Sequence, residues 1–117
     1  VSMGDYAASG GYFVALAGDK IFAEGATLTG SIGVLGGKMV FADLWNKVGV
    51  NWSSIGISDT ANSVSPNFKF SKRQTSIFNK SLDRIYKDFT LKVSKARNID
   101  LKRTYLARKR SCGKRVD

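Results

Sequence analysis

Between Lys72 and Arg97 six apolar residues, Phe78, Leu82, Ile85, Phe89, Val93 and Ala96, follow at intervals of 4, 3, 4, 4 and 3. Residues three and four apart share one face of a helix, so this spacing predicts a long helix with a single apolar stripe. The elements ahead of it alternate in type. "VSM" reads as the end of a buried strand, and "GYFVALAGD" from Gly11 as a helix with little polar surface, buried on most sides. "KIFAE" (20–24) reads as a short strand, and "TLTGSIGVLGG" (27–37) as a strand or loop whose glycines let backbone approach something closely. "MVFADLWNKVG" (39–49) is an amphipathic helix closed by Gly49, and "VNWSSIGI" (50–57) a strand. A polar loop (58–68) with the only proline precedes the long helix. Beyond it, Asn98 or Asp100 is placed to cap a shorter helix, "LKRTYLARK". This order is that of an α/β fold.

A chain of 117 residues suits one domain at most. Charge divides it into a near-neutral portion, 1–66, with three lysines and five acids, and a basic helical portion, 67–117, with sixteen Lys/Arg and four acids. No apolar run reaches the roughly 18 residues needed to span a bilayer. The chain has no histidine and one cysteine, Cys112. An internal disulfide is thereby excluded, as are Ser-His-Asp and Cys-His catalysis within the chain, and neither a metal nor a cofactor is expected. Cys112 reads as a bystander thiol, although five nearby Lys/Arg could lower its pKa. The opening at Val1, in what reads as mid-strand, suggests a piece of a longer protein.

"AASGGYF" (7–13) is the stretch where chemistry is conceivable. A serine hydroxyl is a poor nucleophile unless a base and oxyanion donors stand beside it. Ser9 precedes a helix and is flanked by glycine, and the amide of Gly10 can point at a developing oxyanion with the helix dipole behind it. By local pattern alone, Ser9 reads more simply as a small turn residue or N-cap. A phosphate-binding turn is a weaker reading, because neither G-x-x-x-x-G-K-[ST] nor G-x-G-x-x-G is present.

The segment "VSMGDYAASGGYFVALAGDKIFAEGATLTGSIGV" resembles the nucleophile region of the signal peptide peptidase A family, the S49 serine peptidases also called protease IV. Both S-M-G-x-x-A-A-S-G-G-Y and the T-G-S-I-G-V that follows match, and the likeness runs to about residue 100 through "FADLWNKVGV" and "SVSP". The resemblance implies a ClpP/crotonase-like α/β fold, here without its N-terminal strands, and a Ser–Lys dyad. By motif, Ser9 is the nucleophile, Gly10 supplies an oxyanion N–H, and Ser31 orients the lysine. A lysine base must be neutral, hence desolvated. In short family members that lysine precedes the S-P pair, but "SDTANSV" (58–64) before Ser65-Pro66 holds none. In long members the lysine comes from the N-terminal half, and this chain resembles their C-terminal half. Lys69 and Lys72 lie in a polar stretch that keeps them solvated, and Lys20 and Lys38 read as surface residues.

The resemblance further implies cleaved signal peptides and other apolar extended segments as substrates. It implies a partner half or subunit that supplies the lysine, a ring of like subunits, and a place at the bacterial inner membrane facing the periplasm or cell exterior. Two rivals are a phage capsid-maturation relative and a non-catalytic ClpP/crotonase-like remnant. The tail "ARKRSCGKRVD" departs from the family pattern. The basic half reads first as a solvated face and second as a surface for anionic lipid. Nucleic acid is not expected, since the aromatics there do not interleave with Lys/Arg as a stacking platform would. Met39, Phe41 and Trp45 read as core, with a partner-binding face as the alternative.

Overall fold

The computed structural model describes residues 1–58 and 60–104. Cys112, the tail and the later part of "LKRTYLARK" lie outside the described residues. Five elements follow in order: β1 (Tyr6–Ala8), α1 (Gly10–Ala15), β2 (Leu28–Gly30), α2 (Ala42–Lys47) and α3 (Lys72–Arg97). Helices and a small parallel sheet together are the α/β mixture that the pattern predicts.

The bounds of α3 follow from its two caps. At its start the Ser71 N–H donates to Gln74 Oε1 at 2.9 Å, and the Gln74 N–H donates to Ser71 Oγ at 3.1 Å. This reciprocal pair is a capping box, written in the sequence as S-x-x-Q, and it satisfies two amides that the first helical turn leaves orphaned. At its end Asn98 turns left-handed (φ 49°) and the Ile99 N–H donates back to the Ser94 carbonyl at 3.1 Å. That is a Schellman closure, in which asparagine tolerates the positive φ. Of the two expected caps, Asn98 therefore ends α3, and Asp100 begins the helical turn at 101–104. The Asp100 carboxylate accepts the Lys102 N–H at 3.3 Å, and its carbonyl accepts those of Arg103 and Thr104.

The chain divides into two compact units. The first comprises Val1–Val34 and the chain from Asp83 onward. Its β1 and β2 pair in parallel, with Tyr6 opposite Leu28, Ala7 opposite Thr29 and Ala8 opposite Gly30. Upstream the pairing is reduced to one bridge, Ser2 to Phe22. The strand expected over 20–24 is thus a single contact. A turn pulls the backbone away there: Thr27 N–H donates to the Glu24 carbonyl at 3.0 Å, and Glu24 N–H donates to Thr27 Oγ1 at 3.1 Å. Met3, Ala15, Phe89 and Val93 are buried together with Thr90, and the Phe13 ring meets Phe89 edge-on at 5.2 Å. α1 is shorter and less covered than the sequence suggests. Only Ala15 is buried and Val14 is exposed, since nothing among the described residues lies over that side.

The second unit, Leu35–Leu82, holds α2 and the first part of α3. Gly49 (φ 74°) closes α2 as predicted, and the Val50 N–H returns to the Trp45 carbonyl at 2.9 Å. Trp45 packs edge-on to Trp52 at 5.9 Å, and its indole N–H donates to Asn67 Oδ1 at 3.0 Å. Phe70 stacks on Phe78 at 5.3 Å. A Cβ on Gly36 would stand 2.9 Å from the Phe78 ring and 3.0 Å from a Leu82 methyl, so this close approach requires glycine. The expected strand at 50–57 has no ladder, and Ile55 and Ile57 stand fully exposed. A strand needs a neighbour to receive its hydrogen bonds, and none lies alongside among the described residues.

Phe89 is 5 % exposed, whereas fully buried Thr90 bonds only to its own helix, at the Tyr86 and Lys87 carbonyls (2.9 and 3.0 Å). In urea unfolding, Phe89→Ala should cost about 3 kcal/mol, against less than about 1 kcal/mol for the near-isosteric Thr90→Val. Equal losses would contradict this packing. Ser71→Ala should cost about 1 kcal/mol through loss of the cap, with α3 fraying at its start by hydrogen exchange.

Candidate active site

The sequence Ala-Ala-Ser-Gly-Gly becomes a strand–turn–helix corner. Small side chains let β1 end at Ala8 and α1 begin at Gly10 with a single residue, Ser9, between them. Its backbone sits at φ 50°, ψ −111°, a left-handed conformation that L-residues avoid. Two hydrogen bonds hold it there. The Ser9 N–H donates to the Gly30 carbonyl at 2.8 Å, and the Ser9 carbonyl accepts the Phe13 N–H at 2.9 Å. A non-glycine residue so placed costs of order 1–3 kcal/mol, and such residues concentrate at functional sites.

The N-cap reading of Ser9 fails on its side chain. A capping serine bonds through its oxygen to an amide of the first turn, but the Ser9 hydroxyl makes no such bond, and the residue is exposed. Gly10 follows at the first helical position, where an amide has no acceptor one turn back. A Cβ there would meet nothing within 4 Å, so the space before Gly10 is open.

The parallel register brings the second serine alongside. Ala8 faces Gly30, and the bond from Ser9 to the Gly30 carbonyl joins it to the peptide that leads into Ser31. Gly30 (φ 79°) and Ser31 (φ 50°) are both left-handed, so the chain kinks away at the end of β2 as it does at the end of β1. Ser9, Gly10 and Ser31 thus gather at the carboxyl ends of two adjacent parallel strands. Thr29 is the neighbour that the sequence reading missed. Its hydroxyl donates to the Ala7 carbonyl at 3.0 Å and tethers β2 to the peptide just ahead of Ser9. The T of T-G-S is its only signal in the sequence.

Four lysines are candidates for a base. Lys20 and Lys72 are exposed. In the second unit Lys69 is exposed and binds both oxygens of Asp43, at 3.1 and 3.0 Å. Lys38 is not the plain surface residue expected. It is half-buried, lies over the Phe70 ring at 4.3 Å, and donates to the Ser65 carbonyl at 2.9 Å. Among the described residues no cluster of three His, Cys, Asp or Glu could hold a metal. No helix among them is long and apolar enough to cross a membrane.

The model of peptidase family S49 matches residues 1–110. The chain belongs to peptidase family S49. It is 37% identical over 99 residues to the serine protease SPPA, chloroplastic, of Arabidopsis thaliana, covering 84% of this chain and 15% of that protein. It is 35% identical over 94 residues to the signal peptide peptidase SppA assigned in Enterococcus faecium, covering 80% and 27%. Protease 4 of Haemophilus influenzae is 34% identical over 99 residues, covering 85% and 16%. This S49 segment therefore spans between 15% and 27% of the length of these relatives.

If the left-handed backbone at Ser9 is held by its surroundings, glycine there relieves strain that alanine keeps. Ser9→Gly should be more stable than Ser9→Ala by about 1 kcal/mol in urea unfolding. Equal stability of the two variants would show that Ser9 is unstrained.

Proposed function

We propose that this S49 segment is the nucleophile-bearing part of a serine endopeptidase of Ser–Lys type. The observation that carries the reading is the Ser9 corner: a strained serine with an uncommitted hydroxyl, beside an open Gly10 and the Ser31 turn. Ser9 Oγ attacks the scissile carbonyl carbon and gives its proton to a neutral lysine amine. The negative charge that develops on the carbonyl oxygen is met by the Gly10 N–H at the start of α1. Collapse breaks the C–N bond, the lysine returns its proton to the leaving amine, and water releases the acyl group from Ser9. The Ser31 hydroxyl accepts a hydrogen bond from the lysine and fixes its approach.

The lysine comes from polypeptide outside these residues. Residues 58–64 hold none, Lys69 is engaged by Asp43, and Lys38 by the Ser65 carbonyl. The partner is an N-terminal half or a neighbouring subunit, within a ring of ClpP/crotonase-like domains at the bacterial inner membrane. Cleaved signal peptides and other apolar, extended segments fit a site whose nearest residues are alanines and glycines. The same missing lysine favours one second reading, a non-catalytic member of the family.

Incubation of the purified chain with an unstructured apolar peptide, followed by mass spectrometry, tests the external lysine. No cleavage above the blank is expected. Cleavage that Ser9→Ala abolishes would place the base within this chain and overturn that part of the proposal.

A further inference from the structure

We propose that Thr29 is a positioning residue for the Ser9 corner, acting through the carbonyl of Ala7. The need for one follows from β1 itself. The strand is three residues long, with Tyr6 exposed and Ala7 and Ala8 half-buried. Alanine is a poor strand former, and a single methyl group offers a neighbouring strand little to pack against. A pair of strands this short is marginal without further support. Hydrogen bonding to β2 therefore carries most of the restraint on the peptides that lead into Ser9.

β2 adds to that restraint through side chains. Thr27 and Thr29 lie two apart and so share a side of the extended chain. Each donates its hydroxyl proton to a carbonyl of the segment alongside: Thr27 to Gly4 at 3.0 Å, and Thr29 to Ala7 at 3.0 Å. Between them the Leu28 N–H donates to the Asp5 carbonyl at 2.8 Å. The Thr29 oxygen also lies 3.4 Å from the sulfur of buried Met3. A hydroxyl has one proton and a carbonyl is the better acceptor, so the thioether serves as a wall that limits rotation of the threonine.

The two threonines hold different things. Thr27 ties down the start of the pairing, and its oxygen also accepts the Glu24 N–H at 3.1 Å. Thr29 fixes the Ala7–Ala8 peptide, next to the bond from the Ser9 N–H to the Gly30 carbonyl. A tilt of that peptide passes along the chain to the Ser9 backbone and to the Gly10 N–H. An oxyanion donor acts only when aimed at the developing charge, and a displacement of about 1 Å can cost about a hundredfold in rate. Thr29 touches neither substrate nor reacting atoms. Its effect on turnover rests on the Ser–Lys reading; its restraint on Ser9 rests on the hydrogen bonds alone.

Two measurements separate these. In the 117-residue chain, amide hydrogen exchange followed by NMR reads the restraint. Thr29→Val keeps shape and strand preference but removes the donor, and should speed exchange of the Ser9 amide roughly fivefold, the equivalent of one net hydrogen bond. Thr29→Ser should restore the protection. Thr27→Val forfeits two hydrogen bonds, yet should leave the Ser9 amide within about twofold, because it loosens the chain away from the corner. Equal rises at Ser9 in the two valine variants, or none in Thr29→Val, would overturn the proposal. Turnover is read in a longer polypeptide that joins this chain to a lysine-bearing S49 half. There Thr29→Val should lower kcat on an apolar peptide roughly tenfold with KM within about twofold, Thr29→Ser should recover it, and Thr27→Val should change kcat by less than about twofold. Equal kcat losses in the two valine variants, or a loss that Thr29→Ser does not repair, would also overturn the proposal. If the parent polypeptide cleaves nothing while the Ser9 amide responds as stated, the Ser–Lys reading falls and the Thr29 restraint stands.

Discussion

The hydrogen bond from the Ser9 amide to the Gly30 carbonyl, 2.8 Å long, is the contact on which the candidate site depends. It continues the parallel ladder of β1 and β2 one step past the last paired residues, Ala8 and Gly30. One such bond contributes about 1 kcal/mol net, no more than the lower end of what a left-handed serine costs. The corner persists because several restraints converge on it. The Ser9 carbonyl starts α1 by accepting from Phe13, Thr29 ties β2 to the Ala7 carbonyl, and Phe13 is pinned edge-on to Phe89 of α3. A register slip of one residue in β1 would turn Ser9 to the other face of the sheet and part it from Ser31.

Ser9 and Ser31 arrive at the same place by the same device. Each is the first residue after a short parallel strand, and each has a positive φ. Their proximity arises from pairing of segments more than twenty residues apart. A loop joining them directly could not hold both backbones in such a conformation, whereas a ladder with α1 docked behind it can. The proposed Ser–Lys chemistry does not call for a histidine. In the proposed mechanism the lysine would approach these strand ends, where Gly10 and Ser31 both lie.

What the sequence disclosed divides along the line between local and non-local causes. α3 is legible because its apolar spacing and its S-x-x-Q start are local signals, and Gly49 is legible because only a left-handed residue closes α2 there. The segments 20–24 and 50–57 have the composition of strands, but strand formation depends on a neighbour. The first keeps one bridge and the second none. At the candidate site, the motifs singled out Ser9, Gly10 and Ser31, which the strand pairing brings to the same sheet end. The left-handed Ser9 backbone, the Thr29 tether and the seat of Lys38 at the Ser65 carbonyl were not legible, because each is fixed by residues distant in sequence. Ile55 and Ile57 are left bare by the unpaired 50–57 segment.

The most direct measurement of the central claim is covalent trapping of Ser9. A longer polypeptide carrying this segment together with a lysine-bearing S49 half, treated with a peptidyl phosphonate, should gain one adduct. Peptide mapping should place it on Ser9. The adduct should vanish in Ser9→Ala and be absent from the 117-residue chain treated alike. An adduct on another residue, or equal labelling of the Ser9→Ala protein, would contradict the account.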